Sequence, residues 1–409
     1  MSIVQRAWLL GVASAFLVMG LNAAPAHAQF VEPDVSRARV RIGPMLLNPI
    51  VELKDFGIDT NVFNESVDQA KRDFTFTLSP QTELWMRMGR TWMTGTVRED
   101  LVWYQTYASE RAGNTHYTLS WLVPLNRINV SASTSFLSGR DRPGFEIDAR
   151  AKRRELTMRA AAEVRVLSRT YLGVRANQQT VDFDSSDTFL GVNLQHELNR
   201  TITASVVTLR HQVTPLTSIG IDAGRSNDRF EFSTVRDSNS TTASVEVVFD
   251  PSALIKGTAR FGYRDYQPLA PDLPRYCGTT AAVDLSYVLL GTTRLGVKAV
   301  RDIGYSYDVA EPYYLQTGVQ TELAQQIFGP VDAVGRVGIE NLGYRDRDGL
   351  TTLLVNRTDV VHSYGGGIGY HVGDSLRVGI NVDRQRRHSE LRYRQYDDIK
   401  IGASITYGF

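Results

Sequence analysis

The chain has 409 residues with 45 Lys and Arg against 44 Asp and Glu, a single Cys, and 42% hydrophobic residues. So even a charge balance excludes a nucleic-acid-binding role, which needs a basic excess, and one Cys excludes an internal disulfide framework. A negative mean hydropathy beside that apolar content fits a chain whose apolar and polar residues alternate and average out.

Met1 to Ala28 reads as a secretory signal peptide. Arg6 supplies a positive start, Ala7 to Leu21 is almost wholly apolar, and Ala26-His27-Ala28 has the small-x-small cleavage form. Removing it takes away one Arg and no acid, which leaves a formal charge of zero. Residues 29–48 carry Pro33 and Pro44 with no clear period, and we read them as a periplasmic N-terminal segment. The remainder, 49–409, shows almost no helical periodicity.

A first strand is expected over Ile50 to Asn64. The clearest pattern follows it: Phe74, Phe76, Leu78, Pro80, Leu84, Met86 and Met88 share one parity, and Thr75, Thr77, Ser79, Gln81, Glu83 and Arg87 the other. A period of two marks a strand with one apolar and one polar face. Trp92 to Tyr104, Tyr117 to Val123 and Ile128 to Phe136 continue the series. Next, Leu156, Met158, Ala160, Ala162, Val164 and Val166 alternate with Glu155, Thr157, Arg159, Glu163 and Arg165. Charges on alternate residues need water or a partner, because a polar group facing hydrocarbon costs several kcal/mol. The polar face therefore looks into a wet lumen.

Later strands divide in the same way. Ile255, Ala259, Phe261 and Tyr263 stand against Lys256, Arg260 and Arg264; Leu295, Val297 and Ala299 against Arg294, Lys298 and Asp302; and Val337 and Ile339 against Arg336 and Glu340. Trp92, Trp103, Tyr104, Tyr117, Trp121, Tyr287, Tyr370 and Tyr407 fall towards strand ends, where amphipathic rings suit a membrane interface.

Tight turns are expected at Met88-Gly89-Arg90, Pro124-Leu125-Asn126, Leu167-Ser168-Arg169, Thr214-Pro215-Leu216, Asp250-Pro251-Ser252, Gly291-Thr292, Phe328-Gly329-Pro330 and Val372-Gly373-Asp374. Gly, Pro, Asn, Asp and Ser favour turns for separate backbone reasons. Longer polar loops lie between them, at Ser138 to Glu146, Thr234 to Ser240, Gln267 to Gly278, Arg345 to Arg357 and Arg387 to Asp397. Asp184 to Asn199 alternates weakly and is assigned to an external loop, because a strand there would make the count odd. The fold class is all-β: a transmembrane antiparallel up-and-down barrel of about 18 strands with both termini periplasmic, wide enough for an aqueous channel.

The chain ends on Lys400 to Phe409, where Ile401, Ala403, Ile405, Tyr407 and Phe409 alternate with small or polar residues. This resembles the closing strand of bacterial outer-membrane barrels. The resemblance makes Tyr407 and Phe409 the signal read by the barrel assembly machinery. Further stretches carry a family likeness: Gly57-Ile58-Asp59-Thr60-Asn61-Val62-Phe63, Leu198-Asn199-Arg200-Thr201, Thr214-Pro215-Leu216-Thr217-Ser218, Asp228-Arg229-Phe230-Glu231-Phe232-Ser233 and Arg236-Asp237-Ser238. On these the chain resembles the second putative β-barrel porin family, whose members occur beside exopolysaccharide synthesis and secretion genes. The resemblance implies export of an exopolysaccharide across the outer membrane. Its implied partners are outer-membrane lipid, the assembly machinery and a periplasmic polysaccharide export protein.

The alternative is a general or solute-specific diffusion porin, which would need a constriction with segregated charge. Candidate pore-lining residues are Glu83, Arg87, Arg98, Asp100, Arg159, Glu163, Arg260, Arg264, Arg294, Lys298, Arg336 and Glu340, and their signs are interspersed. Each could equally be half of an ion pair bracing neighbouring strands, worth roughly 0.2–1 kcal/mol. As a set they suit a neutral or mixed-charge polymer and an open pore of weak ion selectivity. An enzyme finds no support, since His116, His196, His211, His362, His371 and His388 show no catalytic partner pattern. No cofactor or metal cluster stands out, and Gly365-Gly366-Gly367-Ile368-Gly369 precedes no helix, so it is not a phosphate loop; glycine in a strand marks a bend or a close approach.

Overall fold

Alternating side chains give each segment one face for lipid and one for water, and the only lipid-compatible sheet is one without edges. The computed structural model describes residues 33, 35–251, 253–349, 356–373 and 375–408. The region read as a signal peptide, most of 29–34, Ser252 and Asp374 of two expected turns, 350–355 of one expected loop, and Phe409 lie outside the described residues.

Eighteen antiparallel strands form the barrel. They are β1 (Met45–Asp59), β2 (Asp73–Met88), β3 (Thr91–Tyr104), β4 (Ala112–Pro124), β5 (Ile128–Asp141), β6 (Ala151–Leu167), β7 (Thr170–Phe183), β8 (Arg200–Thr214) and β9 (Thr217–Phe230), then β10 (Ser238–Phe249), β11 (Ile255–Pro268), β12 (Tyr276–Leu289), β13 (Thr293–Tyr305), β14 (Tyr313–Phe328), β15 (Val331–Arg345), β16 (Thr358–Val372), β17 (Leu376–His388) and β18 (Tyr396–Tyr407). Each pairs with its chain neighbours, and β18 returns to β1 to close the ring. Two faces result. On β8 and β9, Leu209 and Ile221 are 47% and 59% exposed on the outside, whereas Arg210 and Asp222 are 7% and 5% exposed within.

All eight turns expected to be tight do join successive strands at one end of the barrel, and the long loops lie at the other. The Asp184–Asn199 stretch is a loop, as expected, although it contains a two-residue hairpin (Thr188–Phe189 with Val192–Asn193) and a short helix, α1 (Leu194–Leu198). The first strand is displaced from its expected place: it spans Met45–Asp59, and Thr60 to Asn64 already belong to the loop. Loop bounds also differ: two loops are shifted rather than shortened, because β5 runs on to Asp141 and β10 starts at Ser238, whereas those after β11 and β17 are shorter, because these strands run on to Pro268 and His388. Polar composition hid these strand ends, since a ladder can continue into water once it has left the apolar band. Trp92 and Tyr104 are also corrected. They are buried on the lumen side, whereas Trp103, Tyr117, Trp121, Tyr370 and Tyr407 face outward.

Closure depends on a distorted seam. The register between β1 and β18 shifts between Leu53 and Phe56, and Asp55 sits there with a positive φ of 53°. Past this bulge Gly57 pairs with Gly402, and a Cβ on Gly57 would stand 1.9 Å from Ile401 O. Above the seam Asn61 is fully buried. Its backbone N–H donates to the Asp59 and Asp398 carboxylates at 2.9 and 3.1 Å, and its amide donates to Glu65 O at 2.7 Å. The Gly57 to Phe63 stretch is thus a clasp between the first loop and the last strand. At the other end the short strand Val40–Ile42 folds back on Met45 to Leu47 and covers the edge of β1 beyond the point where β18 stops.

Gly57→Ala should therefore weaken closure by about 1–3 kcal/mol, lowering the temperature at which the folded band converts to the unfolded one on a gel. Gly366→Ala, whose Cβ would meet only Val334 O at 3.8 Å, should leave that temperature unchanged.

Candidate functional site: the lumen and its inward-folded loops

Lumen-facing charges pair with neighbours along the wall. Arg98 Nε donates to Asp100 at 2.9 Å, and Lys54 lies 3.9 Å from the same carboxylate. Glu163 is buried and accepts two bonds from Arg210 Nη2 at 2.8 and 2.9 Å and one from Asn129 at 2.9 Å. Arg260 bonds Glu246 at 2.5 Å, and Arg264 bonds Asp302 at 2.8 Å. Lys298 stands 3.5 Å from Asp284, more exposed than the rest. Glu340 accepts from the amides of Gln316 and Gln320 at 3.1 and 3.2 Å, and Glu83 from Asn48 at 3.2 Å. Arg159 faces inward between Ser133 and Asn177, and Arg294 opposite Ala324. Arg87 departs from the wall set, for it lies exposed at the tight-turn rim and donates to Gly89 O at 3.2 Å.

The glycine-rich strand β16 explains how some pairs reach across a whole strand. Gly365 lies in the ladder between Arg336 and Asp383, which bond over it at 3.1 Å. A Cβ there would stand 2.2 Å from Asp383 Oδ1. Likewise Arg377 reaches Asp332 at 2.6 and 2.8 Å over Gly369, whose Cβ would be 2.3 Å from the guanidinium. These glycines are close-approach positions.

At the long-loop end the lumen is crossed. Residues 142–150, the connection from β5 to β6, run inward as a strap to the opposite wall. Phe145 packs with Tyr314, Leu342, Tyr344 and Val361; Ile147 packs with Phe183, Phe189, Leu194, Leu198 and Tyr307. Between these apolar anchors lie two carboxylates. Asp148 receives Arg387 Nη1 at 3.1 Å and Arg394 Nη1 at 3.2 Å. Glu146 accepts from Ser306 Oγ at 2.7 Å and from the Tyr344 hydroxyl, and its carboxylate lies 3.5 Å from Arg394 and 3.8 Å from Arg387. Burial pushes the Asp148 carboxyl above its ordinary value despite Arg394 and Arg387. Beneath the strap remains a cavity of about 430 Å³, whose lining includes Lys54, Asp100, Arg336, Asp383 and Lys400.

A second loop braces the first. Arg236 is fully buried and pairs with Glu197 of α1, while its other nitrogen donates to Ser306 O and Asp308 O at 3.1 and 2.9 Å. Burial opposes ionisation of Glu197, but Arg236 with bonds from His196 and Ser233 outweighs it and holds the carboxyl below its ordinary value. Asn199 accepts from Phe183 N at 2.7 Å and donates to Glu231 at 3.0 Å. Phe230 packs edge-on to Tyr305 at 4.9 Å, and Phe230 N donates to Asp237 at 2.8 Å. The motif residues around 198–201 and 228–238 thus fasten loops.

Strand alternation singles out the wall residues but carries no trace of Glu146, Asp148, Arg357, Asp359, Arg387 and Arg394. The available signal was Phe145 and Ile147 alternating with Glu146 and Asp148, an apolar pattern that a loop surrounded by water does not need.

Residues 33–409 match the family model described as putative beta-barrel porin 2. No curated protein matches the sequence. Among solved structures, similarity extends to the FrpB iron transporter of Neisseria meningitidis (10% identity, 84% of this chain and 62% of that one, TM-score 0.41). It extends also to the outer membrane protein opdK of Pseudomonas aeruginosa (11% identity, 88% and 98% covered, TM-score 0.37). The chain thus spans about 62% of the length of the Neisseria transporter it matches.

Arg236→Ala strands Glu197 and two carbonyls, and should loosen the loops by about 3 kcal/mol without opening the barrel. Limited proteolysis would then cut within 184–199 while heat-modifiable migration persists. Because the Glu197 carboxyl titrates below its ordinary value, its contribution is present above about pH 4.3 and is lost as pH falls through the folded value. Wild-type loops should accordingly become protease-sensitive on acidification below that range, and Glu197→Gln should remove this acid sensitivity.

Proposed function

The chain belongs to the putative β-barrel porin 2 family, and on that premise we propose that it is an outer-membrane channel serving export of an exopolysaccharide, with the tight turns on the periplasmic side. The observation that carries this reading is pairwise neutralisation along the lumen. Arg98 with Asp100, Glu163 with Arg210, Arg260 with Glu246, Arg264 with Asp302, and Arg336 with Asp383 leave both signs interspersed on the wall. Such a wall offers hydrogen bonds to hydroxyls without a strong field that would hold any one unit. A periplasmic polysaccharide export protein would meet the barrel at its tight-turn end.

A second reading, a general or solute-specific diffusion porin, draws on the strap, because an inward loop that narrows a wide barrel can act as a size filter. The two readings differ in what fails when the protein is absent. Deleting the gene should lower surface polysaccharide while small-solute uptake stays normal; normal polysaccharide with slowed uptake would favour the porin. In planar bilayers the purified protein should discriminate between K⁺ and Cl⁻ by less than about threefold, since paired charges project little net field. A strong preference for one ion would contradict the neutralised wall.

A further inference from the structure

The strap's two carboxylates lie two residues apart and meet the same pair of guanidiniums. Arg387 also has a partner on the wall, Asp359, whose carboxylate takes Arg387 Nε at 3.0 Å and Arg357 Nη1 at 2.9 Å. Arg357 is further held by Glu311 at 2.6 Å. Arg394 differs, for its ion pairs are with Asp148 and Glu146 of the strap, it donates to Glu146 O at 2.6 Å, and Phe189 and Tyr307 lie against its guanidinium. Its Nε is buried with no hydrogen-bond partner among the described residues. Lifting the strap would leave Arg394 without the carboxylates it holds now, and Arg387 with Asp359 alone. A buried charge stripped of its partner costs several kcal/mol, so the strap stays closed unless other carboxylates take the vacated places. The cavity beneath the strap reaches its underside at Asp148, with Arg142, Phe145, Asp148 and Tyr396 lining its upper part and Arg377 and Thr406 its lower part, near the tight turns, so that lifting the strap would open it to the two guanidiniums.

We propose that Arg387, at the long-loop end of β17, and Arg394, in the loop that follows, form a carboxylate-binding site at the long-loop mouth of the lumen, occupied in the closed state by the strap's own Glu146 and Asp148 and taken over by the carboxylates of an acidic polysaccharide entering from the tight-turn side. The strap is then both lock and stand-in for the ligand. A polymer that carries acidic units replaces the ion pairs the strap gives up, whereas a neutral one does not. Charge-assisted bonds of guanidinium to carboxylate are strong and geometrically specific, which gives the site its preference. On the way to it, the paired wall lets the same polymer slide.

This inference rests on the polymer-path reading, and its test uses purified full-length protein in planar bilayers, so it can fail while gene deletion still lowers surface polysaccharide. The probes are an oligogalacturonate and a maltooligosaccharide of equal length, added to either chamber. Oligogalacturonate on the tight-turn side should raise the open fraction of the wild type, and the neutral oligomer should not. Arg394→Gln should weaken the oligogalacturonate response about tenfold. Glu146→Gln with Asp148→Asn should raise basal conductance and shift the response to lower oligogalacturonate concentration, while Lys152→Gln, an exposed residue outside the site, serves as the unchanged control. Equal responses to the acidic and neutral oligomers would overturn the site. A response only from the long-loop side would overturn its assignment to cargo in favour of an external polyanion. Should the double variant fail to insert, the wild-type comparison of the two oligomers still decides.

Discussion

Every backbone N–H and C=O that crosses hydrocarbon must be paired within the protein, and in a sheet this is possible only if the first strand finds the last. The junction between β1 and β18 is therefore what the rest of this structure depends on. It is also where the chain is least regular. A bulge at Asp55, a glycine that no other residue could replace without meeting Ile401 O, and the Asn61 clasp onto Asp398 occur within seven residues. The bulge re-aims β1 at the point where the two ends must meet, and Asn61, fully enclosed, satisfies backbone groups that would otherwise face the loop interior unpaired.

Closure has a second consequence. It turns alternate residues of every strand inward, and in a barrel of eighteen strands they surround more space than their side chains can fill. The wall responds by pairing its charges with one another, and β16 goes further by withholding side chains at Gly365 and Gly369 so that Arg336 and Arg377 can reach carboxylates on the far side. The lining of the lumen is thereby electrostatically quiet.

The long-loop end is built on different physics. There the space is filled by protein: the strap and the α1 loop bring Phe145, Ile147, Phe189, Leu194 and Leu198 into contact with aromatic side chains of the wall and of neighbouring loops, making two small hydrophobic clusters at the mouth. Arg236, Arg357, Arg387 and Arg394 are almost fully enclosed at this end, each tied to at least one carboxylate. Buried pairs of this kind add little net stability over an apolar core, but they penalise any arrangement that separates them. The loops are thereby held in one defined position across an opening that water alone would leave free.

By itself the sequence determined the barrel. The period-two alternation, the turn residues and the need for an even count are all local or arithmetical signals, and they returned eighteen strands with the tight turns at one end. Strand ends were less legible, since β5 and β17 continue into polar stretches whose composition matches a loop. What only the tertiary structure decided was the direction each loop takes. Asp148 meets Arg387 and Arg394 across more than two hundred residues of chain, and Tyr104 and Trp92 turn inward although their positions near strand ends suit a girdle equally well. Strand pairing in an up-and-down barrel is set between neighbours in sequence, so it leaves a periodic trace. Contacts across the lumen arise only once the ring has closed and opposite walls face each other, and nothing in the spacing of residues records which walls those will be.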